Sequence, residues 1–195
     1  MPQTARFRIE GYVIVSADGM LSKGDRAMPG ELKFDADNSF FSAALDRADL
    51  VVHGRFSQED HPNAPQRKRI ILTRKIAALA ADPDNPRAIL WNPAGAGFEA
   101  ACEFAGLASG RIAVIGGPDV FDLFMDRYET FWLSLAPHVL LPGGEPCFGG
   151  VPARSPQQVL AAHGLTPGEP QILDAKNDVT VTPWRRQKTQ DRLRG

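Results

Sequence analysis

Short, wholly apolar runs recur along the chain, separated by segments in which apolar residues return every three or four positions. The runs are rich in β-branched residues, a composition typical of buried strands. They predict strands at residues 12–15, 50–52, 70–72, 88–91, 112–115 and 130–135, and a closing pair at 171–173 and 179–184.

The three- and four-residue spacings predict helices between these strands. The clearest helix is 38–49, in which Phe41, Ala44, Leu45 and Ala48 would share one face. Further helices are predicted around 98–105 and over 120–127. Buried strands that alternate with helices are typical of a mostly parallel sheet covered on both faces.

The end of the chain follows a different pattern. Five polar or small residues at 174–178 join the last two strands, and this spacing predicts a hairpin and therefore an antiparallel last strand. The Pro- and Gly-rich segment 142–170 is predicted to cover a sheet edge. Residues 185–195 are basic without apolar periodicity and are expected to be a frayed tail.

The fold class that follows is a single α/β domain over residues 1–184. It would have a mostly parallel central sheet, an antiparallel C-terminal strand and helices on both faces. A chain of 195 residues, 43% of them hydrophobic, is long enough for one hydrophobic core.

Charge and cysteine content narrow the class of protein. A net charge of −1 gives no reason to expect nucleic acid or an anionic membrane as a partner. Two cysteines and an N-terminus without a signal-peptide pattern favour a reduced, cytoplasmic protein. The four histidines lack the spacing of metal ligands, so no metal site is predicted.

The strongest chemical signal is the pair Gly116-Gly117, which lies between an apolar strand and a predicted helix. Glycines at a strand end leave the backbone accessible to a phosphate, and the first N–H groups of a helix favour an anion. Pro118 suits the first helical position. A plain tight turn between strand and helix explains the same residues equally well.

Two weaker clusters follow other predicted strands. Gly54, Arg55 and Ser57 follow the strand at 50–52, and Thr73 and Arg74 follow the strand at 70–72. Each arginine alone is better explained as a surface residue. Together, the three clusters fall at carboxyl ends of strands, the edge where open α/β sheets bind ligands, and so predict a phosphate-rich cofactor. The sequence contains neither G-x-G-x-x-G nor a P-loop motif, which argues against the nucleotide-binding folds that use them.

Five segments, in order, resemble dihydrofolate reductases and the pyrimidine reductases of riboflavin biosynthesis. They are Ser-Ala-Asp-Gly-Met-Leu at 16–21, Ala-Met-Pro at 27–29, Gly-Arg-Phe-Ser at 54–57, the basic run and strand at 65–74, and Val-Ile-Gly-Gly at 114–117. The resemblance covers residues 8–184 and implies NADPH-dependent hydride transfer to a small heterocycle.

The resemblance also implies which residues bind the cofactor. Gly116 and Gly117 would lie against the pyrophosphate, and Arg74 near the 2′-phosphate would favour NADPH over NADH. The full implied cofactor set is Gly54, Arg55, Ser57, Thr73, Arg74, Gly116, Gly117, Pro118 and Asp119.

On the substrate side, the resemblance places Met28 on a loop that closes over the nicotinamide. Ser134 matches a threonine hydroxyl that faces the substrate, although a strand serine bonded to backbone fits equally well. Arg67 matches an arginine that binds a substrate carboxylate, and a solvated residue in a basic run is nearly as good an explanation.

Family members use one carboxylate near the start of their first helix to bind the substrate edge and assist protonation. Counting forward from Met28 selects Asp35, whereas helical spacing with Phe40 and Phe41 selects Asp37. We prefer Asp37 because helix spacing is stiffer than loop length, with Phe40 and Phe41 lining the substrate slot. Asp37 could instead serve only as a helix N-cap.

Two departures leave the substrate open. Gly30 stands where dihydrofolate reductases have a tryptophan after Met-Pro, and Ile115 stands where pyrimidine reductases have a glutamate before Gly-Gly. The expected function is therefore NADPH-dependent reduction of a pterin or a phosphoribosylamino-pyrimidine. The alternative is a non-catalytic nucleotide- or heterocycle-binding protein of the same fold. A homodimer is a further expectation from the resemblance.

Overall fold

A computed structural model of the chain describes residues 6–24, 27–57 and 61–187. Its strands are β1 (Phe7–Ser16), β2 (Met20–Ser22), β3 (Leu50–Gly54), β4 (Arg69–Leu72), β5 (Leu79–Ala81), β6 (Ala88–Trp91), β7 (Gly110–Val114), β8 (Thr130–Ala136), β9 (Glu145–Pro146), β10 (Leu165–Pro167), β11 (Gln171–Asp174) and β12 (Val179–Arg186). The helices are α1 (Asp35–Asp46), α2 (Phe98–Phe104), α3 (Pro118–Leu123) and α4 (Pro156–Ala162), with short 3-10 turns at Gly30–Leu32 and Ala64–Gln66.

In the described part of the chain, ten strands form one sheet in the order β10-β12-β8-β1-β7-β3-β4-β6-β5, with β11 also paired to β12. The six strands from β8 to β6 in this order run parallel to one another. The strand β12 pairs antiparallel with β8 and forms a hairpin with β11. The predicted mostly parallel sheet and its antiparallel last strand are therefore confirmed.

The two faces of the sheet carry different helices. On one face, Ala44 and Leu45 of α1 pack on Tyr12, Val51 and Ala113. The larger apolar cluster on the other face includes Phe98 of α2, Phe121 of α3 and Leu160 of α4. The helix α1 is thus isolated on its own face, which leaves room beside it for a cavity.

Close packing at the centre of the sheet requires a glycine. A Cβ on Gly11 of β1 would lie 2.3 Å from the Phe131 ring of β8 and 2.9 Å from the Tyr128 ring. Any side chain at this position would therefore displace buried aromatic rings or separate two central strands.

The helix α1 begins at Asp35 and ends at Asp46, three residues earlier at each end than predicted. Its N-cap is Phe34, which provides no side-chain hydrogen bond. The interpretation of Asp37 as an N-cap is therefore wrong, because Asp37 is already inside the first turn.

The segment 142–170 is more regular than predicted, because it contains β9, α4 and β10. The helix α4 starts with a capping box, in which Ser155 and Gln158 satisfy each other's backbone N–H groups. Part of this segment forms the sheet edge itself, since β10 pairs with β12.

The last strand extends two residues beyond the predicted domain end at 184, to Arg186. The Arg186 guanidinium donates hydrogen bonds to the carbonyls of Met125, Tyr128 and His163. Arg185 and Arg186 thus belong to the sheet, and the predicted tail at 188–195 lies outside the described residues. No helix in the described ranges is both long and apolar enough to span a membrane.

Candidate active site

A cavity of about 610 Å³ lies between α1 and the central strands. Its walls come from α1, β1, β8, the segment that follows β7 and the segment that follows β3. Of the residues predicted from the sequence, it is lined by Met28, Asp37, Phe40, Phe41, Ser57, Gly116, Gly117 and Ser134. One cavity therefore brings together predicted cofactor and substrate residues that lie far apart in the sequence.

At one end of the cavity, the chain leaving β3 contacts the chain leaving β7. The Gly54 N–H donates to the Gly116 carbonyl at 2.7 Å, and the Ser57 N–H donates to the Gly54 carbonyl at 3.1 Å. The Gly116-Gly117 peptide bond is cis. Two of the predicted glycine clusters thus form one continuous backbone surface.

A glycine is required on that surface at Gly116. Gly116 has a φ of +109°, and a Cβ there would lie 3.0 Å from the Phe121 ring. A Cβ on Gly117 would lie 3.5 Å from the Ser57 Oγ, in the space between the two strand exits. This glycine-lined recess next to a hydroxyl has the chemistry needed to bind a phosphate group.

The third cluster lies at the rim of this surface and does not line the cavity. The Arg74 guanidinium, which follows β4, is 3.7 Å from the Asp119 carboxylate in the first turn of α3. Both side chains are about 90% exposed, at 90% and 91%. Arg55 is also exposed and stacks on the Phe56 ring at 4.4 Å. The Thr73 Oγ1 accepts a hydrogen bond from the Lys75 N–H at 3.2 Å.

The two candidate acids have different surroundings. Asp35 is exposed and does not line the cavity, whereas Asp37 is only 7% exposed and does. The Ser134 hydroxyl donates a hydrogen bond to the Asp37 carboxylate. Burial raises the pKa of Asp37 above its ordinary value of 3.8, although the bond from Ser134 acts in the opposite direction.

Four aromatic rings, which we call the aromatic wall, stand beside Asp37: Tyr12, Phe40, Phe41 and Trp132. The Tyr12 and Trp132 rings are stacked, with centroids 6.4 Å apart and planes 7° apart. The Phe40 ring meets Trp132 edge-on at 5.5 Å. The helical spacing correctly placed Phe40 and Phe41 in the same cavity as Asp37.

Sequence reasoning missed Tyr12 and Trp132, although a weak signal was present. Each residue is an aromatic with a polar group inside a largely apolar run of its strand. Register pairs the two, since Tyr12 of β1 faces Trp132 of β8. Their common face can be recognised only once the neighbouring strands are known.

Arg67 is placed differently from the prediction. It is 8% exposed, it does not line the large cavity, and its Nη2 lies 2.5 Å from the Asp46 carboxylate at the end of α1. The same nitrogen is 3.4 Å from the Ser42 Oγ and carbonyl. Its guanidinium therefore fixes α1 in place, and among the described arginines and lysines it is Lys33 that lines the cavity.

Met28 is 43% exposed and lines the mouth of the cavity together with Leu21 and Phe56. Met28 and Phe56 come from two separate loops and Leu21 from β2, and together they can shield the interior from water. No group of three or more metal-ligating side chains is found within residues 6–24, 27–57 and 61–187.

Solved structures with the same architecture include a dihydrofolate reductase and proteins of riboflavin biosynthesis. Dihydrofolate reductase from Enterococcus faecalis, complexed with NADP(H) and RAB-propyl, matches with a TM-score of 0.63 and 16% identity, over 93% of this chain and 97% of that one. The chain has the dihydrofolate reductase fold.

The second group belongs to riboflavin biosynthesis. A protein of Shewanella sp. PV-4 assigned to that pathway matches at a TM-score of 0.60 and 18% identity, over 93% of this chain and 99% of that one. A diaminohydroxyphosphoribosylaminopyrimidine deaminase/5-amino-6-(5-phosphoribosylamino)uracil reductase from Thermotoga maritima matches at 0.64 and 14% identity. The match covers 93% of this chain and 57% of that deaminase/reductase.

No protein-family model matches the sequence, and no curated protein is significantly similar to it. At such low identities to solved structures, the similarity establishes the dihydrofolate reductase fold and leaves the activity to be argued from the site. The predicted fold class is confirmed.

Proposed function

We propose that the chain is an NADPH-dependent reductase that transfers hydride to a pterin or a phosphoribosylamino-pyrimidine. The observation that carries the proposal is the buried carboxylate of Asp37, which shares one cavity with the bare Gly116-Gly117 backbone. A reductase of this type needs both a cofactor recess and a proton source beside it.

The residues at the strand exits fit a dinucleotide. The recess at Gly116 and Gly117 leaves no room for a side chain at Gly116, and the Ser57 hydroxyl borders it beside Gly117. NADPH would supply the hydride, and its phosphates would lie against this backbone and Ser57. Arg74 stands at the rim as a cation for a further phosphate.

On the substrate side, Asp37 would bind the N–H edge of a planar heterocycle. Its raised pKa keeps a proton available at higher pH than an exposed aspartate could, which suits protonation of a ring nitrogen. The Ser134 hydroxyl fixes the orientation of the carboxylate. The aromatic wall would pack on the apolar face of the ring, and Met28 would help to exclude water.

Cofactor binding and turnover test the proposal separately. Titration with NADPH, followed by fluorescence, should show saturable binding below about 1 mM, an affinity of roughly 4 kcal/mol. NADPH oxidation should then be measured with dihydrofolate and with the phosphoribosylamino-pyrimidine of riboflavin synthesis. Absence of NADPH binding overturns the proposal, whereas binding of NADPH and heterocycle without turnover indicates the non-catalytic alternative.

A further inference from the structure

Behind the aromatic wall lies a buried carboxylate that the proposed reaction does not use. The Glu10 side chain is 12% exposed. Its Oε2 accepts hydrogen bonds from the Tyr12 hydroxyl at 2.5 Å and from the Trp132 Nε1 at 3.3 Å. Its Oε1 lies 3.6 Å from the Arg111 Nε, which offsets part of the buried negative charge.

The sheet geometry explains why one oxygen reaches both rings. Glu10 and Tyr12 are two residues apart on β1 and therefore point to the same face. Parallel pairing places Trp132 of β8 beside Tyr12. A single acceptor is thus shared by two donors whose rings are parallel to within 7°.

The shared acceptor leaves little freedom to either ring. Burial and the adjacent Glu10 carboxylate raise the pKa of the Tyr12 hydroxyl well above its ordinary value, so this group remains a donor at physiological pH. Without Glu10, both donors would lose the acceptor they share, and turning the rings outward would be the way to satisfy them. Any such rotation would move the surface that lines the cavity beside Asp37.

We infer that Glu10 is a positioning residue for the substrate: by holding the Tyr12 and Trp132 rings parallel to each other, it sets the aromatic wall on which a planar heterocycle bound at Asp37 packs. The inference rests on the proposed function for the identity of the ligand. Glu10 itself contacts neither the substrate nor the cofactor and transfers no proton.

The test compares Glu10→Ala, Glu10→Gln and, as a control, Glu99→Ala. Glutamine keeps one oxygen that both rings can share, whereas alanine keeps none. Glu99 is an exposed glutamate on α2, paired with Arg127 on the other face of the sheet. The probes are 2,4-diaminopteridine, measured by calorimetry, and NADPH, measured by fluorescence.

Glu10→Ala should weaken 2,4-diaminopteridine binding about tenfold or more, the usual consequence of leaving buried donors unsatisfied. Glu10→Gln should restore binding to within about threefold, and NADPH affinity should change less than about twofold in all three variants, since neither Glu10 nor Glu99 lines the cavity that contains the glycine recess. The near-UV circular dichroism of the stacked rings should be lost in Glu10→Ala and retained in Glu10→Gln and Glu99→Ala.

Unchanged 2,4-diaminopteridine binding in Glu10→Ala overturns the inference. Equal losses for 2,4-diaminopteridine and NADPH also overturn it, because they would indicate a general loss of structure. If wild-type protein binds neither probe, the proposed function fails by itself. In that case, the near-UV circular dichroism still tests whether Glu10 orders the two rings. Identical spectra for Glu10→Ala and Glu10→Gln would refute that role.

Discussion

The two ends of the cavity are built from different parts of the polypeptide. The end proposed to bind the cofactor, called the cofactor end below, consists largely of backbone at the exits of two strands, at Gly54, Ser57 and Gly116-Gly117. The end proposed to bind the substrate, called the substrate end, consists of side chains from α1, β1 and β8, namely Asp37, Ser134 and the aromatic wall.

This difference has a physical consequence. A backbone surface depends on glycines, whose absence of a side chain can be recognised locally in the sequence. A side-chain surface depends on residues brought together by strand register and helix packing, and each of them has other uses in other contexts. Mutations at the cofactor end should therefore mainly weaken NADPH binding, whereas mutations at the substrate end should mainly lower turnover or heterocycle binding.

The largest effect should come from the substrate end. Asp37→Asn removes the buried acid but keeps its size, so turnover should fall about 10²- to 10⁴-fold, the usual range for loss of a general acid. The Kd for NADPH should change little. Steady-state kinetics and a fluorescence titration measure the two quantities.

Asp35→Asn is the matched control, because Asp35 is exposed at the start of the same helix and lies outside the cavity. Its turnover should remain close to that of wild type. The pH profile gives a second check: wild-type activity should fall as pH rises and Asp37 loses its proton, at a higher pH than for an aspartate of ordinary pKa 3.8. An equal loss in both variants would contradict the assignment of Asp37.

A smaller effect should come from the cofactor end. Gly116→Ala introduces a Cβ at a φ of +109° and 3.0 Å from the Phe121 ring. The strained backbone should cost about 1–3 kcal/mol and weaken NADPH binding roughly tenfold, with little change for 2,4-diaminopteridine. Gly30→Ala serves as the control, because a Cβ there meets nothing within 4 Å. A selective loss of heterocycle binding in Gly116→Ala would contradict the division between the two ends.

The smallest effect should come from the rim of the cofactor end. Arg74 is 90% exposed, so its attraction to a phosphate is largely screened by solvent. Arg74→Ala should lower the preference for NADPH over NADH by about fivefold, as expected for loss of one exposed charge contact of roughly 1 kcal/mol. The measurement is the Kd of each cofactor at low and moderate salt. Arg8→Ala is the control, because the Arg8 side chain pairs with Glu129 elsewhere on the surface. An unchanged preference for NADPH over NADH would show that Arg74 does not contact the 2′-phosphate.

Among the elements, the central strands were predictable and several peripheral ones were not. Runs such as 112–115 are apolar throughout because both faces of a central parallel strand are buried. The peripheral elements β5, β10 and α4 have only three, three and seven residues, which is too short for a periodicity to reveal them. Only the capping box at Ser155 gave a local sign of α4.

Within the candidate site, the surroundings of Arg67 could not be predicted from the sequence, whereas the helix face of Asp37 could. A basic run cannot reveal that Asp46, one helix away, pairs with the Arg67 guanidinium. In contrast, the spacing of Asp37, Phe40 and Phe41 fixes a common helix face, because the geometry of a helix is independent of what packs on it. The spacing could not show that Asp37 would be buried against Ser134.

The sequence by itself determined the parallel sheet, the glycine recess at the strand exits and the acid-bearing face of α1, because each depends on local periodicity or on the missing side chain of glycine. Tertiary structure alone decided that Asp37 rather than Asp35 enters the cavity, that Arg67 pairs with Asp46, and that Glu10 joins Tyr12 to Trp132. These contacts join residues far apart in the chain or set their burial, and strand register and helix docking are settled only when the whole core packs.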